Sequence, residues 1–363
     1  GNIFDFLMKT QNFKFGEAVK TLALQAGMRP YTFSKADEER EKAQKQYVGI
    51  YSDYIDYFHN ELLNNSDLSS GLNYLKNRKL RLETIKNFKI GYVRKNLNLF
   101  DNLAKKFGQK AVKESGIFYF DEKKNTFVDR FRDRIIFPIN SISGSPIAIG
   151  GRIMEKNSFY AKYINSPETQ FFKKGNNLYN IDKARALSNK LDQIFLVEGY
   201  MDVIGLNNNG IKNCVANLGT ALTEKQIVIL NQFFNEIVIC FDSDESGYKA
   251  AVRAAENSVK ELQPEKQISF LFLPKGEDPD TYVTKCGKEK FLKYKRLTDI
   301  TILEFRSQNI REAVNDSSIA VKALIKYSLA RIFPHANFKR KSHYLFEDEF
   351  VFKNWKLLET KTF

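Results

Sequence analysis

Four short apolar runs between residues 191 and 285 alternate with helix-length segments, and this alternation constrains the fold more than any other feature of the chain. Residues 194–197, 213–216, 236–241 and 267–273 have the length and composition of strands. Between them, 201–209, 223–233 and a segment carrying Val252, Ala255, Val259 and Leu262 on one face have helical patterning. Strands that are apolar throughout, separated by helices, predict a parallel sheet covered on both faces. In such a sheet, the loops that carry chemistry lie beyond the carboxyl ends of the strands.

Acidic residues occupy those loops. Glu198 follows the first strand in Val197-Glu198-Gly199-Tyr200-Met201-Asp202. Asp242 and Asp244 follow the third in Phe241-Asp242-Ser243-Asp244-Glu245-Ser246-Gly247. Asp278 and Asp280 follow the fourth in Gly276-Glu277-Asp278-Pro279-Asp280. Asp-x-Asp in an extended segment points both side chains to one side. Clustered carboxylates repel one another at neutral pH, which makes a divalent ion their natural counter-charge. Magnesium suits such a place because it takes a few carboxylates together with water and phosphate. Gly199 and Gly247 allow tight backbone turns beside the acids. Taken alone, Asp242-x-Asp244 reads more readily as a solvated turn; three acidic loops on one sheet edge reverse that balance.

Charge is segregated along the chain. The 363 residues carry a net charge of +14, yet residues 191–285 hold 8 Lys and Arg against 14 Asp and Glu. That stretch is therefore at −6 and the remainder at +20, the distribution expected where basic side chains hold a polyanion and carboxylates hold the ions it shares. Cys214, Cys240 and Cys286 are far apart and only three His are present, so no zinc site of ordinary spacing can be assembled. Buried, reduced thiols point to a cytoplasmic location. No apolar run approaches the ~20 residues of a membrane span. The first residues lack both an initiator Met and a signal-peptide layout, and read as the interior of a longer protein.

Upstream, the residues from 13 to 26 are helical, and 35–46 is a charged linker entering a helix. There Tyr47, Ile50, Tyr51, Tyr54, Ile55, Phe58 and Leu62 fall at helical spacing. This stripe reads as core rather than as a base-stacking face. Residues 71–190 mix helices with strands such as 134–139 and 146–150. The chain has no internal repeat.

The acidic series Glu198-Gly199-Tyr200-Met201-Asp202, Asp242-Ser243-Asp244 and Glu277-Asp278-Pro279-Asp280 resembles the Toprim domain of bacterial DnaG-type primases. So do Asp129-Arg130-Phe131-Arg132-Asp133-Arg134-Ile135-Ile136-Phe137-Pro138-Ile139, Gly150-Gly151-Arg152, and the run from Lys162-Tyr163-Ile164-Asn165 to Thr169. Phe172-Lys173-Lys174-Gly175 and Ala216-Asn217-Leu218-Gly219-Thr220 match too, and the resemblance covers residues 1–332. It implies an α/β fold, α+β overall, in which a parallel sheet flanked by helices follows a basic mixed subdomain and precedes a helical segment. The implied divisions are a remnant at 1–37, the basic subdomain at 38–190, the Toprim domain at 191–285, helices at 286–333, and an unassigned tail at 334–363.

The resemblance further implies a DNA-directed RNA polymerase that makes short primers on single-stranded DNA by two-metal nucleotidyl transfer. Metal ligands would be Glu198, Asp202, Asp242, Asp244, Asp278 and Asp280, with Glu198, Asp242 and Asp244 catalytic and Asp202 in a supporting place. Arg78, Arg152, Lys162, Asn165 and Lys174 would contact nucleotide and template. Arg130, Arg132 and Arg134 alternate and would face one groove if extended; packing and ion pairing account for them equally well. The implied cofactor is Mg2+ or Mn2+, with Zn2+ confined to the family's preceding zinc-binding module. The implied partners are template DNA, ribonucleoside triphosphates and RNA primer, with a replicative helicase engaged through a further C-terminal domain, and the protein itself a monomer. The sequence departs from the family at Ser243 and Ser246, where Gly and Ala are usual. Two other readings stay open: a Toprim nuclease or topoisomerase, although none of the 17 Tyr stands in a nucleophile motif, and a non-catalytic single-strand binder. No phosphate loop of the Gly-x-x-x-x-Gly-Lys-Ser/Thr kind is present for a helicase activity.

Overall fold

The structure is a computed structural model that describes residues 3–301, apart from 12, 14, 29–33, 65–68, 155–159, 220, 260, 262, 264 and 299. The tail at 334–363, most of the helical segment at 286–333, and Thr220 and Leu262 lie outside the described residues.

The chain divides into two units. The first comprises residues 1–74, 89–138 and 145–171; the second comprises 75–88, 139–144 and 172 onward. Helices α1 (Ile3–Thr10), α2 (Phe15–Gln25) and α3 (Lys35–Asn64) open the chain, followed by α4 (Ser69–Asn77) and α5 (Leu82–Asn87). Helix α3 begins at Lys35, so the charged stretch read as a linker is already helical. Its Tyr47, Ile50, Tyr51, Tyr54, Ile55, Phe58 and Leu62 are all buried, which places the stripe in the core. The tyrosine hydroxyls end on polar partners, as buried Tyr requires: Tyr47 Oη donates to the Ile147 carbonyl at 2.8 Å, and Tyr51 Oη to the Ser115 carbonyl at 2.9 Å.

The sheet of the first unit has the order β1 (Gly91–Val93), β4 (Arg134–Asn140), β5 (Pro146–Ile153), β6 (Tyr163–Asn165), with antiparallel pairing at the β1/β4 and β5/β6 contacts. Helices α6 (Phe100–Phe107) and α7 (Gln109–Glu114) and the hairpin β2 (Phe118–Asp121)/β3 (Thr126–Asp129) fall between β1 and β4. Of the two readings left open for the arginine series, internal packing is the one observed. Residues 130–133 form a turn, with Asp133 in the left-handed region at φ 60°, so the alternation of Arg130, Arg132 and Arg134 is broken. Arg130 and Arg132 both pack on Tyr119, the Arg132 Nη1 donating to its hydroxyl at 2.8 Å, and Arg134 is buried.

The second unit contains α8 (Ile181–Ala184) and the sheet that the alternating pattern predicts. Its strands are β7 (Gln193–Val197), β8 (Cys214–Ala216), β9 (Glu236–Ile239), β10 (Gln267–Phe270) and β11 (Ile300–Thr301), in the order β11-β10-β9-β7-β8. The pairings β10/β9, β9/β7 and β7/β8 are parallel; β11 joins the edge antiparallel. Ile194, Phe195, Leu196 and Val197 are wholly buried, as a strand covered on both faces must be. The helices are α9 (Tyr200–Asn208), α10 (Glu224–Asn231), α11 (Glu245–Val259), α12 (Pro279–Cys286) and α13 (Lys288–Thr298). Cys214 and Cys240 are buried free thiols. Among the described residues, no helix is long and apolar enough to cross a membrane.

Candidate active site

The register of the parallel strands decides which loops meet. Val197 lies opposite Ala216, Leu196 opposite Ile239, and Ile239 opposite Phe270, so the chain leaves β7, β8, β9 and β10 along one edge. Glu198 and the Asp242-x-Asp244 loop therefore emerge on neighbouring strands. Glu198 Oε1 accepts a hydrogen bond from the Asp242 amide at 3.1 Å, which ties the two acidic motifs together through the backbone. Burial pushes the Glu198 carboxyl above its ordinary range, the Asp242 amide pulls it back, and the Asp244 charge adds to the rise.

Asp202, one turn into α9, binds back to the start of its own helix: its Oδ2 accepts from the Gly199 amide at 3.0 Å. Burial, then the charges of Asp242, Asp278 and Asp280, hold its carboxyl well above the usual range. Asp202 thus links the β9 loop electrostatically to the loop before α12. Asp278 is the N-cap of α12, its Oδ1 accepting from the Thr281 amide at 2.6 Å with Pro279 at the first helical position. Asp280 is 6% exposed, and Arg78 places Nη1 3.6 Å from its Oδ2. The field of the group reaches the Cys240 thiol, which burial and then Asp202, Asp242 and Glu198 push well up.

Three residues contribute that spacing alone did not single out. Ser243 is a brace: its hydroxyl lies 2.9 Å from both the Pro274 and Glu277 carbonyls and accepts from the Glu277 amide at 3.1 Å. It joins the β9 loop to the β10 loop, a role that glycine at this place cannot fill. Gly205, inside α9, lies so close to Asp280 that a Cβ would sit 2.6 Å from its Cγ. Tyr74 lies under Arg152, 5.6 Å from guanidinium to ring centroid. Glycine within a helical segment was the available signal for close approach at Gly205, whereas the sequence reading singled out only Gly199 and Gly247, and those as tight turns.

The six carboxylates and Arg78 belong to the second unit, as does Lys174, in a 3-10 turn (Lys174–Asn176) whose carbonyl accepts from Gln226 Nε2 at 3.2 Å. Arg152, Lys162 and Asn165 belong to the first. Arg152 and Tyr163 are cross-strand partners on β5 and β6, and Arg152 Nη1 donates to the Tyr163 hydroxyl at 2.5 Å. Arg152 is 7% exposed and packs against the rings of Tyr74 and Tyr163, while Lys162 is exposed with its ammonium over Tyr163.

The donor set is all oxygen and strongly anionic, which fits a hard divalent cation rather than zinc or copper. Glycine clears its surroundings: a Cβ at Gly247 would lie 2.9 Å from Glu198 Oε1, and one at Gly199 would lie 3.2 Å from Asp202 Oδ2. Among the described residues, no three of these groups already stand at ligating separation. A set of this kind at a sheet edge is chemically suited to hard cations and, through them, to phosphates.

Two protein families match the chain: the N-terminal domain of the DNA primase catalytic core over residues 57–185, and the Toprim domain over residues 192–272. A DNA primase of Pseudomonas aeruginosa is 38% identical over 299 residues, which is 80% of this chain and 44% of that protein. The chain thus spans less than half the length of that relative. A solved DNA primase domain from Pseudomonas aeruginosa aligns with a TM-score of 0.69 at 33% identity, covering 79% of this chain and 95% of that one. A solved DnaG primase catalytic domain bound to single-stranded DNA aligns with a TM-score of 0.68 at 32% identity, covering 74% and 84%.

Proposed function

Because this chain belongs to the DnaG primase family, whose catalytic core it carries, we propose that it synthesises short RNA primers on single-stranded DNA. The observation that carries this reading is the Glu198–Asp242 tie at the sheet edge. It gathers acidic residues from β7 and β9 on one rigid support, and Asp202 couples them to the acids before α12. The relative solved with single-stranded DNA supports the choice of template.

Glu198, Asp202, Asp242, Asp244, Asp278 and Asp280 would hold Mg2+ or Mn2+, which when bound would stabilise charge on the reacting phosphate and favour the ionised 3′-hydroxyl. Glu198 is the group suited to receive the hydroxyl proton, since burial raises its carboxyl above the ordinary range and so makes its carboxylate a stronger base. Asp202 and Asp278 also hold the starts of α9 and α12, so the helices that carry the acids are built from those acids. Arg78, Arg152, Lys162, Asn165 and Lys174 would position the triphosphate and template by charge and hydrogen bonding. The divisions proposed are a basic subdomain at 38–190, a Toprim domain at 191–285 and helices at 286–333. A replicative helicase partner and a cytoplasmic, monomeric protein complete the proposal.

The test is RNA synthesis on single-stranded DNA with four ribonucleotides and Mg2+, comparing the chain with Asp242→Ala, each with and without a pre-annealed RNA primer. RNA products that disappear in the variant are expected. DNA binding without product from either protein, even on the annealed primer, would instead identify a single-strand binder.

A further inference from the structure

Arg78 and Asp280 are 202 residues apart in sequence, and their pairing sets two features of Asp280 side by side. The carboxylate packs onto the α9 backbone at Gly205, a glycine inside a helix, where glycine is unfavourable unless something must come close. A Cβ there would lie 2.6 Å from Asp280 Cγ and 2.9 Å from Asp280 Cβ, so this seat exists for the Asp280 carboxylate. The Arg78 guanidinium also stands beside this carboxylate, at 3.6 Å; the Asp280 side chain is 9% exposed and the Arg78 side chain 34%.

From this we infer that Arg78 is the built-in counter-cation of the acidic site and competes with a divalent cation for Asp280. The inference rests on the reading of the six carboxylates as a cation site, and it adds a second role to the nucleotide and template contact proposed for Arg78. Arg78 is then a positioning residue: it holds Asp280 on its Gly205 seat and lowers the net negative charge that a cation meets. A charge 3.6 Å from a ligand oxygen at the protein surface changes cation affinity by about three- to tenfold once solvent screening is allowed for.

The experiment is calorimetric titration of the full chain with Mn2+ alone, in the absence of nucleotide and DNA, for the wild type, Arg78→Gln and Arg78→Lys. Tighter Mn2+ binding by about three- to tenfold in Arg78→Gln is expected, with wild-type affinity restored in Arg78→Lys. Arg78→Met, which keeps the aliphatic stem, is the second variant should the glutamine disturb folding. Unchanged or weaker Mn2+ binding in the charge-removed variant overturns the inference. If primer synthesis nevertheless remains sensitive to Asp242→Ala, the functional reading stands and Arg78 is a contact for nucleotide or template, visible as a raised KM. A wild-type chain that binds no Mn2+ removes both the inference and the cation site on which it rests.

Discussion

Gly247→Ala separates close backbone packing at the site from ordinary helix propensity, because the two push in opposite directions. Gly247 lies in the first turn of α11, and alanine there should favour the helix by about 1 kcal/mol if nothing else changed. The structure puts something in the way. A methyl group would overlap the Asp242 carbonyl oxygen and approach its carbonyl carbon and Glu198 Oε1 to 2.9 Å each, against ~3.5 Å or more for ordinary contacts. Two of these atoms are backbone and cannot rotate away, so the β9–α11 turn must shift. Overpacking of this kind costs about 1–3 kcal/mol, which leaves a net destabilisation of up to about 2 kcal/mol. The larger effect falls on activity. A displacement of about 1 Å at Asp242 and Glu198 lowers a positioned reaction by roughly 100-fold. Urea unfolding and primer extension measure the two consequences, with Ser246→Ala, an exposed neighbour, expected to stay within about 0.5 kcal/mol of wild type. A Gly247→Ala protein that is more stable than wild type and fully active would refute the reasoning.

Two further outcomes follow from other parts of the molecule. Burial raises the Asp129 carboxyl from 3.8 to about 7, against the opposing pull of the Phe131 amide, the Tyr54 hydroxyl, Arg132 and Arg130. The folded state then keeps a proton that the unfolded state has released, so this group lowers stability as pH rises from about 4 to 7, by at most about 4 kcal/mol. Asp129→Asn keeps an acceptor for Tyr54 and Phe131, and should gain on the wild type between pH 5 and 8; parallel urea midpoints across that range would exclude it. Asp278 is both a helix cap and a proposed ligand, and two substitutions divide these roles. Asp278→Ala should lose about 1 kcal/mol of stability together with Mn2+ affinity, whereas Asp278→Asn should keep the cap and lose only affinity. Equal Mn2+ binding by wild type and Asp278→Asn would leave Asp278 a cap alone.

Whatever depends on neighbours along the chain was legible in the residues alone. Apolar runs separated by helices specified a parallel sheet, and Glu198 and Asp242 were placed beyond strand ends because they directly follow the apolar runs ending at Val197 and Phe241. The helical stripe from Tyr47 to Leu62 was legible as core for the same reason, since its period is a local property. For Arg130, Arg132 and Arg134 the sequence left a shared groove and internal packing equally open, because alternation has meaning only in an extended strand, and the left-handed Asp133 makes the segment a turn. The remaining features arise only when distant segments fold together. Tertiary structure set the register that brings Glu198 Oε1 to the Asp242 amide, the hydroxyl brace from Ser243 to the next loop, and the approach of Arg78 to Asp280. These contacts join residues separated by 31 to 202 positions, and no periodicity encodes which distant loops will meet. That is fixed by strand order and by how closely glycine lets two backbones pack.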